Sequence, residues 1–168
     1  MKKQQKVMLA PNVEVPMDDM PFPCYASVKM DGIRVPVKDA VMYSRTWKPL
    51  STAAHARFYK FVQAARVAGV VFDGELWSPA RKFNEIMSCL APKVVSMPDD
   101  IEYHVFDCMP IADWNRGSGG SPYNIRVADY VSWINANLPD DYLRVVPVKQ
   151  FEIGNAKELQ MFFDRAIG

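Results

Sequence analysis

Read for the alternation of apolar and polar positions, the chain separates into short β-rich runs and amphipathic helical spacings. Apolar runs rich in β-branched and aromatic residues occupy 25–29, 33–37, 40–43, 70–76, 103–109 and 143–148, and these are the expected strands. Between them apolar residues recur at three-and-four spacing. The first set follows Ser51, a suitable N-cap, and puts Ala54, Phe58, Phe61, Val62 and Ala65 on one buried helix face. Phe83, Ile86, Met87 and Leu90 make a short second helix and Val127, Tyr130, Val131, Ile134 and Leu138 a third; Asn155 caps a fourth, with Leu159, Phe162 and Phe163 facing inward. The order β-β-β-α-β-α-β-α-β-α describes a mixed α+β domain that begins in antiparallel hairpins and covers its sheet with helices. The methionines and aromatics are read as core packing.

Two Pro-rich stretches interrupt the pattern. Residues 11–23 (PNVEVPMDDMPFP) read as an extended arm and 118–122 (SGGSP) as a flexible loop tip, and neither separates two cores. With 168 residues, 49% hydrophobic and 23% charged, the chain is expected to be one domain, 1–168, and its composition excludes disorder, collagen and a long coiled coil. No repeat of solenoid period is present. The opening MKKQQKVMLA is too short in apolar residues for a secretory core, and no later run approaches the roughly 20 residues of a membrane span, so cytoplasmic residence with no membrane partner is expected. Cys24, Cys89 and Cys108 are odd in number and far apart, which supports neither disulfides nor a zinc site. A net charge of +1 carries no information about nucleic-acid partners.

Candidate chemistry lies in three places. Lys29-Met30-Asp31-Gly32-Ile33-Arg34 falls where one β-rich run ends and the next begins, with glycine at the bend permitting positive φ and leaving backbone room for a ligand. On spacing alone it also reads as an ordinary charged hairpin. A lysine is a nucleophile only when its amine is neutral, about one molecule in a thousand near neutral pH, and lowering its pKa by three units takes about 4 kcal/mol of burial or nearby positive charge. Arg34 supplies such a charge, whereas Asp31 opposes it unless a divalent ion shares the site. Next, Phe72-Asp73-Gly74-Glu75-Leu76-Trp77 sets two carboxylates on an apolar strand, costly unless they meet a cation or a hydroxyl donor, with capping of the following loop as the other reading. In Tyr103-His104-Val105-Phe106-Asp107 an aromatic is available to stack on a base; taken alone, the segment reads as core. His104 points to the opposite face from Tyr103 and is read as structural.

Together and in order, these segments resemble the nucleotidyltransferase domain of ATP-dependent DNA ligases, particularly the small ligases of viruses and phages. Residues 22–34 (FPCYASVKMDGIR) look like the family's KxDGxR motif and its approach, 43–49 (YSRTWKP) like its SR segment, and 72–76 and 103–107 like its two acidic and aromatic strands; Lys82-Phe83-Asn84 resembles the segment behind the DGE strand. The resemblance covers nearly the whole chain. It implies an ATP-grasp-like nucleotidyltransferase fold, antiparallel sheets flanked by helices. It implies that Lys29 attacks the α-phosphate of ATP to form a lysyl-adenylate, that Arg34 and Arg45 bind phosphate or ribose, that Glu75 meets the ribose hydroxyl or a Mg2+ or Mn2+ ion, and that Phe106 stacks under adenine. AMP then passes to the 5′-phosphate of nicked duplex DNA, and the 3′-hydroxyl displaces it. Asp31, Asp73 and Asp107 are read as supporting groups.

The sequence departs from the family's pattern at its end. An EGxMxR-like strand and a lysine-bearing KxK strand are expected to follow 146–168, and after them an oligonucleotide-binding-fold domain, yet the chain stops at Gly168. The expectation is an incomplete domain lacking its C-terminal strands, with weak or absent self-adenylation alone, an exposed sheet edge, and a complementing C-terminal chain as a partner. RNA ligases and mRNA capping guanylyltransferases share the KxDGxR core; the SRTWKP and FDGELW forms favour DNA ligase. A catalytically incompetent nucleotide- or DNA-binding remnant is the alternative of a different class.

Overall fold

The computed structural model describes residues 15–117, 120–139, 142 and 144–167. In chain order its strands and helices are β1 (Cys24–Ala26), β2 (Ile33–Arg34), β3 (Val37–Lys38), β4 (Val41–Met42), α1 (Thr52–Arg57), α2 (Tyr59–Ala68), β5 (Val70–Trp77), α3 (Phe83–Cys89), β6 (Glu102–Pro110), α4 (Ile111–Arg116), α5 (Tyr123–Asn137), β7 (Val145–Pro147), β8 (Phe151–Ile153) and α6 (Ala156–Ile167), preceded by a 3-10 turn at Met17–Asp19. The predicted mixed α+β class is the observed one. Residues 11–14 of the expected arm at 11–23 and 118–119 of the loop tip at 118–122 lie outside the described residues.

The chain divides into two compact units. The larger runs from Met30 to Pro147 and holds β2 to β7 and α1 to α5. Its six-stranded sheet has the order β4-β3-β5-β6-β7, with β2 also paired to β5; all pairings are antiparallel except that of β6 with β7. The core is aromatic. Phe61 packs on Phe72 and on Tyr103 at ring-centre distances of 5.1 and 5.3 Å, Trp133 lies 4.8 Å from Phe72, and the Tyr103 hydroxyl donates to the Val35 carbonyl at 2.7 Å in a fully buried setting. Gly74 makes this core possible: a Cβ there would stand 2.7 Å from Tyr103 Cζ and 2.5 Å from the His104 carbonyl.

The apolar helix face after Ser51 is buried at every expected position, and the Ser51 hydroxyl accepts from the Ala54 N–H at 3.4 Å. The helix is nevertheless two, since Phe58 takes φ −102° and ψ 20° between α1 and α2, and Gly69 at φ 64° ends the second. In α3 only Ile86 is buried; Phe83 and Met87, expected on the same face, are 41% and 45% exposed. The first strands do not form the expected successive hairpins. β3 and β4 do, but β2 pairs with β5, and β1 pairs far along the chain with β8.

Among the described residues the smaller unit comprises 15–29 and 148–167. Here β1 and β8 form a two-stranded antiparallel sheet, and Phe162 of α6 lies 5.2 Å from Phe151 of β8. Asn155 caps α6 as read from the sequence, its Oδ1 accepting from the Glu158 N–H at 3.0 Å. Phe163 is 48% exposed, which corrects its inward assignment: it falls off the stripe that Leu159 and Phe162 share.

Candidate functional site

Strand alternation on β5 sends Phe72, Gly74 and Leu76 to the core and Asp73, Glu75 and Trp77 to the opposite face. That second face carries the larger unit's candidate chemistry. β2 lies beside β5 with Arg34 opposite Glu75, so Arg34 and Glu75 share the face. The Arg34 guanidinium grips Asp73 with both arms, Nε to Oδ1 at 3.1 Å and the terminal nitrogen to Oδ2 at 2.6 Å. Burial pushes the Asp73 carboxyl above its ordinary value although Arg34 pulls the other way. Asp73 thus meets the cation that a carboxylate on a covered strand requires, and it does not cap the following loop.

Glu75 is used differently. Its Oε1 accepts the backbone N–H of Gly32 at 2.8 Å, which ties the Asp31–Gly32 segment down onto β5. Gly32 is therefore there for close approach. It has no positive φ, contrary to the expectation for a bend; instead a Cβ would fall 2.3 Å from the Leu76 carbonyl and 2.9 Å from Glu75 Cγ. The backbone room that the glycine leaves is filled by β5.

On β6 the pairing shifts. Val105 faces Gly74 and Asp107 faces Asp73, so Phe106 is an extra residue opposite the junction between them, a β-bulge. Without it, alternation from His104 would turn Asp107 toward the core. With it, Phe106 and Asp107 both stand on the site face and Cys108 turns inward, where it is buried. The Phe106 ring is half-buried, with the Arg34 guanidinium carbon 5.3 Å from its centre. Asp107 is held by Arg126 of α5, Nε to Oδ1 at 2.7 Å and the second arm to Oδ2 at 2.9 Å. Arg126 and Tyr123, whose hydroxyl donates to the Phe106 carbonyl at 3.1 Å, were invisible to the periodicity, which begins at Val127; the signal was the Tyr-x-x-Arg spacing just ahead of that stripe.

The larger unit thus brings Arg34, Glu75 and Phe106 together with Asp73 and Asp107. His104 is structural as read: its Nε2 meets Glu102 Oε2 at 2.9 Å and its ring stands edge-on to Trp77, and burial, opposed by Glu102, lowers its pKa. Arg45 is exposed on the tight loop between β4 and α1, where Lys48 N–H donates to the Ser44 hydroxyl and Trp47 takes φ 61°, and it makes none of these contacts. Lys29 is an exposed residue of the smaller unit, immediately before Met30. Asp31 lines a cleft of about 530 Å3 with Trp77, Arg81, Lys82, Phe83 and Asn84. Arg81 there is forked onto Asp100, and that bond together with one from Ser78 holds the Asp100 carboxyl below its usual range. Among the described residues no three His, Cys, Asp or Glu side chains converge to hold a metal ion. No described helix is long and apolar enough to cross a membrane.

No protein-family model matches the chain, and no curated protein matches it in sequence. Solved structures do. The DNA ligase-adenylate of Chlorella virus superposes with a TM-score of 0.73 and 26% identity over 96% of this chain and 55% of its own. A Lig E DNA ligase gives 0.69 and 18% over 97% of this chain and 57% of its own, and the ATP-dependent DNA ligase of bacteriophage T7, in complex with ATP, 0.57 and 16% over 82% and 51%. The chain spans between about a third and three-fifths of the length of the ligases it matches. Its fold is that of the nucleotidyltransferase domain of ATP-dependent DNA ligases, as the ordered segments in the sequence implied.

Proposed function

We propose that this chain is the adenylation part of an ATP-dependent DNA ligase that seals nicks in duplex DNA, within the cell and in replication, repair or recombination. The observation that carries the reading is the shared sheet face that holds Arg34, Glu75 and the bulged Phe106, in a chain that also carries an exposed Lys29 two residues ahead of Asp31. Phe106 offers a ring for the adenine to stack on, Arg45 offers forked donors to phosphate or ribose oxygens, and Arg34, whose fork holds Asp73, adds its positive charge beside them. Glu75, oriented by the Gly32 N–H, offers a carboxylate to the ribose hydroxyl.

The Lys29 amine attacks the α-phosphorus, forming a phosphorus–nitrogen bond as the bond to the β-phosphate breaks; pyrophosphate leaves and the amine proton passes to water. The AMP is then carried to the 5′-phosphate of a nick, from which the 3′-hydroxyl displaces it. A divalent ion neutralises charge on the phosphates in such chemistry. The described side chains do not by themselves make a cage for one. Glu75 is the donor we assign to it, alongside phosphate oxygens and water.

The test is incubation with magnesium and ATP labelled at the α-phosphate, for the chain alone and with a C-terminal ligase half supplied separately. Label on Lys29 that Lys29→Ala removes supports the reading; little label without the added half is the expected result. Absence of label even with that half leaves a nucleotide- or DNA-binding remnant. Label from GTP in place of ATP would indicate capping chemistry, and sealing of nicked RNA in place of DNA an RNA ligase.

A further inference from the structure

We propose that Arg126, assisted by Tyr123, is a positioning residue that sets the ring of Phe106 and so governs how a nucleobase stacks there; the inference rests on the nucleotide-binding reading above. A residue inside a regular ladder has its side-chain direction imposed by the pairing on either side. Phe106 does not, because the register jumps across it, from Val105 opposite Gly74 to Asp107 opposite Asp73. Something other than the sheet must fix it. The first turn of α5 does so at three consecutive residues of β6: the Tyr123 hydroxyl donates to the Phe106 carbonyl at 3.1 Å, the Arg126 guanidinium forks onto both Asp107 oxygens, and the Cys108 thiol points to the Arg126 carbonyl at 3.8 Å.

The clamp is itself braced. The remaining arm of Arg126 donates to the Ser121 carbonyl at 2.7 Å, and its guanidinium carbon lies 5.4 Å from the centre of the Tyr123 ring, so the two clamping side chains support each other. Asp107 turns its Oδ1 also to the N–H of Cys108 at 2.8 Å, closing the bulge on itself. Across the sheet, Asp73 faces Asp107, and each carries its own bidentate arginine. These two like charges stay side by side because Arg34 and Arg126 neutralise them from opposite ends. Phe106 sits between the two pairs, one of them on its own strand and the other through the Arg34 guanidinium above its ring.

The experiment uses the whole chain with para-fluorophenylalanine incorporated at Phe106, in the parent, Arg126→Lys and Tyr123→Phe forms. Arg126→Lys keeps the positive charge and gives up the fork; Tyr123→Phe removes one hydroxyl and is the milder change should the first fail to fold. Without nucleotide, the fluorine NMR line of Phe106 is expected to shift and broaden in both variants. With etheno-ATP, whose fluorescence reports stacking of its base, quenching is expected to weaken and the apparent Kd to rise about tenfold in Arg126→Lys, within the range of a lost base–aromatic stack, while competition by inorganic triphosphate is unchanged. A general loosening of the fold would weaken both ligands together, and that result overturns the proposal. So does a fluorine line and a quench identical to the parent's. A parent chain that fails to quench etheno-ATP sinks the nucleotide reading and the base-stacking claim with it, while the fluorine lines alone still decide whether Arg126 sets the ring.

Discussion

The backbone N–H of Gly32 donates to Oε1 of Glu75 at 2.8 Å, and the absence of a side chain at Gly32 is what lets the strands come that close. A Gly32→Ala Cβ would press 2.3 Å from the Leu76 carbonyl, a backbone atom that cannot swing aside. We expect this variant to lose about 1–3 kcal/mol, the cost of overpacking a tight contact, measured by urea denaturation. Stability within about 0.5 kcal/mol of the parent would mean that the close approach is not a constraint.

Arg34 and Asp73 are the next pair to separate. Arg34→Ala leaves a carboxylate in a covered site without its cation, a loss of about 3 kcal/mol, whereas replacing both together, Arg34→Met with Asp73→Leu, recovers most of it. The pH dependence has a definite sign. Asp73 already titrates above its ordinary 3.8 because of burial, so the folded state holds a proton that the unfolded chain has given up, and the stability this brings is lost as pH rises through the folded value. Removing Arg34 removes the opposing pull and steepens that loss. Thermal melts of Arg34→Ala that show no steeper fall in stability with rising pH than the parent would refute the assignment.

How much of this was legible in the sequence depends on whether a feature is carried by spacing or by register. The buried face of α1 and α2 is carried by spacing, and every expected residue from Ala54 to Ala65 is in the core. β8 was not read, because three residues with an exposed, exposed, buried pattern show no alternation, and its partner β1 lies more than a hundred residues away. α4 was missed for a related reason: it has six residues, none buried, and follows β6 with no intervening loop. The acidic and aromatic residues of the candidate site could be named from their order along the chain. That Asp107 joins Asp73 on one face could not, since it hinges on one extra residue in β6, which only pairing with β5 exposes.

His104, opposite Glu75 on β6, tests the covered edge of the site face. Burial lowers its pKa from 6.5 against the pull of Glu102, so the unfolded chain takes up a proton at a pH where the folded one does not. Its contribution to stability is therefore complete above about 6.5 and is lost as pH falls from there toward the lower folded value. His104→Gln, which cannot titrate, is expected to flatten this part of the profile below 6.5 while keeping a donor for Glu102. Melting temperatures that fall equally in parent and variant over that interval would remove His104 as the cause.

Lys29 and Arg45 separate chemistry from stability, because both side chains are exposed and neither is packed into a core. Lys29→Ala and Arg45→Ala should each leave the free energy of unfolding within about 0.5 kcal/mol of the parent. Their chemical effects should differ. With the C-terminal half supplied, Lys29→Ala removes the nucleophile, so label from α-labelled ATP should vanish while etheno-ATP still quenches against Phe106. Arg45→Ala removes one forked contact to an anionic ligand, so labelling should persist but need about tenfold more nucleotide, the scale of a charge-assisted hydrogen bond worth about 1.5 kcal/mol. An Arg45→Ala chain with unchanged nucleotide dependence would move Arg45 out of the nucleotide site and leave Arg34 as the guanidinium that serves it.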